Sequence, residues 1–156
     1  MRIGAPWRLF RRMQDSLAVA AVLIYAGCVL NAWRVLPGGE PMKLQRTLLF
    51  PGLFLALSLA APLLIAPLGR GLSRHLWVSF RTGFGQSVIS VLGGVVVLVA
   101  LAGLILWQTH AAAHGGRYPG GAFSGYAAGI GLLIAQTILV RRLERDPALT
   151  AKIEED

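Results

Sequence analysis

The chain is poor in acid, poor in charge of any kind and nearly without cysteine. Seven Asp and Glu stand against fifteen Lys and Arg, and charged residues make up 14% of the 156 positions. None of them lies in the central part of the four long apolar runs. Ionisable side chains inside a membrane mark transport paths and proton relays. Their absence excludes a proton- or sodium-coupled carrier built on buried carboxylates, small multidrug exporters of that kind included. The single cysteine, Cys28, stands inside an apolar run. That rules out an intrachain disulfide and a cysteine-built metal site. His75 is separated from His110 and His114 by a whole apolar run, so two histidines of one chain cannot share a haem. No Ser/His/Asp triad, phosphate-cradling loop or paired-carboxylate site is present. The sequence offers no catalytic residue and implies no cofactor.

What the chain has is hydrophobic length. Hydrophobic residues make up 55% of it, and the mean hydropathy is +0.63, well outside the range of ordinary soluble domains. Ser87 to Trp107, SVISVLGGVVVLVALAGLILW, carries no charge. As a helix it is roughly 31 Å long, enough to cross a bilayer's hydrocarbon core. Three similar runs predict a four-helix membrane domain over residues 16–140, with helices at about 16–33, 47–68, 86–107 and 122–140. A net charge of +8 would suggest nucleic acid in a soluble protein. Here the cations flank the apolar runs, where membrane lipids and the positive-inside rule account for them, and no nucleic-acid partner is implied.

Residues 1–15 place Arg2, Arg8, Arg11 and Arg12 among Ile3, Trp7, Leu9, Phe10 and Met13, the pattern of a basic amphipathic segment at the headgroups. A signal peptide competes with that reading, but the run after it ends in Asn31, Trp33 and Arg34 without a small-residue cleavage site. An uncleaved first helix is therefore expected. Pro37-Gly38-Gly39 breaks it. The second run contains Pro51, Pro62 and Pro67, and Pro62 is a candidate hinge or static kink. Residues 69–85 form a basic connection, residues 108–121 a loop, and residues 141–156 a charged tail.

Four spans put both ends of the chain on one side. Eleven Lys and Arg then fall on that side and four on the other, which predicts both termini in the cytoplasm. Trp7 and Trp77 fall at the inner boundary and Trp33 and Trp107 at the outer one, as interfacial anchors do. Thirteen of the fifteen basic residues are arginine, a bias consistent with a GC-rich bacterial genome and hence a bacterial inner membrane. The expected fold is an all-α bundle of antiparallel neighbours. A 2+2 helical-hairpin repeat is suggested by Trp7-x-x-Phe10-Arg11 with Trp77-x-x-Phe80-Arg81, and by the Pro-Gly-Gly that follows helices one and three. The offsets differ, and chance similarity in an apolar alphabet competes with the repeat.

Membrane helices associate through small residues that let backbones approach. Gly83, Ser87, Ser90 and Gly94 form one such face, and Gly121, Gly125 and Gly129 another. Either serves packing within the chain or a partner. Pro62, Gln86 and Gln136 could line a path. His110 and His114, four apart, are the one pair with metal-ligand spacing, but no acidic residue stands near them in sequence, and loop packing accounts for them better. These observations together predict a non-catalytic membrane subunit, docked through its small-residue faces to a larger inner-membrane complex or to its own copies. The alternative is a small oligomeric channel or carrier for lipids or small uncharged solutes.

Overall fold

The computed structural model describes residues 5–64, 84–116 and 120–145. Helix α1 spans Ala5–Val35, α2 Glu40–Leu44, α3 Phe50–Leu64, α4 Phe84–Ala113 and α5 Gly120–Arg145, and a π-helical turn, Gln45–Leu49, joins α2 to α3. Four stretches are long and apolar enough to cross a membrane: Arg8–Val35, Glu40–Leu64, Val91–Ala113 and Gly120–Arg142.

The helix ends follow local chemistry. Pro6 stands in the first turn of α1, where its missing N–H costs nothing. The helix then runs unbroken through residue 15, so the basic N-terminal segment and the first span are one rod. Its far end is closed by the Leu36 amide donating to the Ala32 carbonyl (2.9 Å), followed by Pro37 and by Gly38 at φ +118°. Helix α4 continues past Trp107 to Ala113, into residues expected to form a loop. Thr109 to Ala113 is helix-permissive, and the stop comes only at Gly115-Gly116. There the Gly116 amide donates to the Ala111 carbonyl (2.8 Å) and the Gly115 amide to the Ala112 carbonyl (3.3 Å), with Gly115 at φ +93°. This is a Schellman closure, and it needs both glycines. A Cβ on Gly116 would meet the Ala111 oxygen at 2.6 Å.

Helix α5 is the centre of the bundle. Of its most apolar stretch 44% is buried, against 17–22% for the other three spans. It packs chiefly on α3 and on α1, and α1 packs in turn on α4. Among the described residues sequential helices are therefore not the closest pairs, unlike the expected bundle of antiparallel neighbours. Two registers show that α3 and α5 run the same way: the π-helical turn lies beside the start of α5, and Leu55 to Leu59 beside Gly131. The close approach that Gly131 permits draws these two helices together in place of the hairpin partners.

Buried positions on α1 repeat at three and four: Phe10, Gln14, Leu17, Ala21, Cys28, Ala32 and Leu36. On α4 they repeat at seven: Val91, Leu98, Ile105 and Ala112. This is the seam of a left-handed helix pair. The outer faces carry Leu23, Leu30, Leu57, Val96 and Val99, all more than half exposed in the isolated chain. Without water at the membrane's centre such faces are satisfied by acyl chains.

Candidate functional site

The densest polar cluster lies where α1, the π-helical turn and α5 meet, and a proline creates it. Pro51 has no N–H, so the carbonyl four residues earlier, on Thr47, loses its helical partner. The chain widens by one residue there, and the Phe50 amide reaches back to the Gln45 carbonyl. Tyr25 supplies what Pro51 cannot: its hydroxyl donates to the Thr47 carbonyl at 2.6 Å. The Thr47 side chain, fully buried, donates to the Lys43 carbonyl (2.7 Å) and accepts from Trp33 Nε1 (3.0 Å). Lys43 Nζ donates to the Trp33 carbonyl (3.1 Å), covering one of the open acceptors at the end of α1.

Aromatic rings carry the cluster into α5. Tyr25 stacks on Tyr126 (centroids 5.6 Å apart, 26° between planes) and meets Phe123 edge-on at 5.9 Å and 84°. Both geometries are favoured by the ring quadrupole. The Tyr126 hydroxyl donates to the Ala21 carbonyl (3.2 Å). These hydrogen bonds and ring contacts join three elements of the chain. Cys28 is buried one turn further along α1.

The small residues sort differently from their spacing. Among the described residues Gly125 and Gly129 have nothing within 4 Å of where a Cβ would stand, and the same holds for Gly121. The close crossing is at Gly131 instead. A Cβ there would fall on Ser58 Oγ, within 2.5 Å of the Leu55 carbonyl oxygen and 3.1 Å of the Leu59 amide nitrogen. Ser58 and Thr137 turn their hydroxyls to their own helices, on the Leu55 and Leu133 carbonyls. Gly94 lies against Leu17 of α1, where a Cβ would stand 3.2 Å from Cδ2. Ser87, Ser90 and Gln86 fall in the first turns of α4, where the backbone alone is described, and Gly83 and Trp77 lie outside the described residues.

Pro62 is buried in α3 and Gln136 half-buried in α5. Trp107 is exposed, while Trp33 spends its N–H on Thr47. Trp7 belongs to the first turn of α1, where the backbone alone is described. His110 and His114 are exposed, their ring centroids 4.5 Å apart. His114 Nδ1 donates to the His110 carbonyl (2.8 Å), an acceptor left open where α4 ends. Among the described residues no three His, Cys, Asp or Glu come together as metal ligands.

At the opposite end of the bundle the start of α1 meets the finish of α5. Phe10, Leu139 and Val140 are buried there, and Arg141 Nη2 donates to Asp15 Oδ2 at 3.3 Å. The first and last described helices therefore begin and end on the same side.

The fold and its four long apolar helices define an all-helical, multi-pass membrane protein. Comparison with known families, curated proteins and solved structures finds no match.

Proposed function

We propose that this protein is a non-catalytic subunit of a larger bacterial inner-membrane complex, with both termini cytoplasmic. One observation carries the reading. Gly121, Gly125 and Gly129 stand at spacing four on the central helix, yet among the described residues nothing lies within 4 Å of where their Cβ atoms would stand. Small residues in register bring membrane helices together through backbone contact, and here the contacting helix belongs to another subunit. The polar cluster around Thr47 supports the same reading, since its groups are consumed in holding the fold. The two helical hairpins would derive from a duplication.

The open space makes the test clean. At Gly125 and Gly129 an added Cβ has nothing within 4 Å among the described residues, so Gly125→Leu with Gly129→Leu is expected to insert and fold. Mild solubilisation and capture through a C-terminal tag should recover a stoichiometric larger membrane protein with wild type and much less of it with the double variant. Equal recovery would remove the glycine face from the reading. A lone homogeneous oligomer that conducts small uncharged solutes after reconstitution would favour the alternative channel or carrier.

A further inference from the structure

We infer that the end of the bundle where α1 begins and α5 finishes is a binding site for the headgroup of an anionic phospholipid. The inference goes beyond the subunit reading and does not depend on it. Two antiparallel helices carry arginines out past a common pin, the Asp15–Arg141 contact. On α1, Arg8 and Arg12 are exposed and one turn apart; on α5, Arg141, Arg142 and Arg145 are exposed within two turns. With Arg11, six arginines stand on these two helix ends against Asp15 and Glu144 among the described residues.

The pin sets the geometry. From Asp15 back to Arg8 the helix rises about 10 Å, and from Arg141 on to Arg145 about 6 Å, both in the same outward direction. Packed helices lie roughly 8–10 Å apart, so guanidinium groups from both flank one outward-opening notch. Arginine's planar fork suits phosphate oxygens, which it binds in pairs. Asp15 offsets only Arg141, with which it is paired, and Arg8, Arg12, Arg142 and Arg145 remain exposed. The notch also stands at the right depth for a lipid. It lies at the ends of the spans Arg8–Val35 and Gly120–Arg142, and Leu9 and Val19, both more than half exposed, lie on the outer surface of α1. A phosphate at the arginines leaves its acyl chains along that apolar surface.

The test compares phosphatidylglycerol with phosphatidylcholine. Purified full-length protein is equilibrated with a detergent-solubilised mixture of the two and re-isolated, and the retained lipid is measured by mass spectrometry. Wild type should retain phosphatidylglycerol in clear excess over its share of the mixture. The variant R8Q/R12Q/R142Q/R145Q should lose that excess by about tenfold or more, while R34Q, at the opposite end, keeps it. If the glutamine variant does not fold, as shown by immediate labelling of Cys28, two measurements decide. R8K/R12K/R142K/R145K, which keeps the charge without the fork, should retain part of the preference, and raising salt should erode the preference of wild type. Equal retention of both lipids by wild type, an unchanged excess in the glutamine variant, or a preference indifferent to salt would each overturn the inference. So would protection against thermal unfolding by inorganic phosphate equal to that by phosphatidylglycerol, which would mark a free-anion site.

Discussion

Replacing Gly131 with alanine should destabilise the protein, while the same change at Gly125 or Gly129 should not. The added Cβ at Gly131 would lie 2.5 Å from the Leu55 carbonyl oxygen. Restoring an ordinary contact of about 3.5 Å requires α3 and α5 to part locally by about 1 Å. The obstruction is helix backbone, which cannot rotate away as a long side chain can. Overfilling a close contact of this kind costs about 1–3 kcal/mol. Alanine's better helix propensity, at most about 1 kcal/mol, offsets part of that. Gly131→Ala should therefore lose up to about 2 kcal/mol net. Gly125→Ala and Gly129→Ala, with nothing within 4 Å, should be neutral or slightly stabilised. The chain supplies its own probe, because Cys28 is its single thiol and is buried. Thermal unfolding in mild detergent, followed with a thiol-reactive fluorophore, should put the Gly131→Ala midpoint several degrees below the other two. A Gly131→Ala midpoint at or above wild type, or a larger loss at Gly129, would refute the assignment of the close crossing.

Two further outcomes can be read by the same assay. Tyr25→Phe leaves the buried Thr47 carbonyl without a partner and should cost about 1–3 kcal/mol. Pro51→Ala returns an N–H to that carbonyl, so the cost of Tyr25→Phe should shrink in the Pro51→Ala background. Additive effects in that double-mutant cycle would show that Tyr25 does not stand in for the missing amide. Asp15→Asn should cost less than about 1 kcal/mol, since the Asp15–Arg141 contact is solvated and screened. A drop of several degrees would mean that the ion pair, rather than the burial of Phe10, Leu139 and Val140, holds α1 to α5.

The sequence by itself determined that four helices are long and apolar enough to cross a membrane. That information is local. A backbone in hydrocarbon must satisfy its own hydrogen bonds, and runs of some twenty apolar residues have few other ways to do so. The orphaned Thr47 carbonyl was also legible, since Pro51 stands four residues after it. Its partner was not, because Tyr25 lies 22 residues away on another helix. The tertiary structure alone decided which small residue makes the close contact. Each residue turns a helix by about 100°, so the choice between Gly129 and Gly131 is one of rotational phase. An amphipathic helix announces its phase through its polar face. The membrane-spanning parts of these helices are apolar on nearly every side, so their phase was settled only when α3 met α5, with the Leu55 carbonyl and the Ser58 hydroxyl set against a glycine.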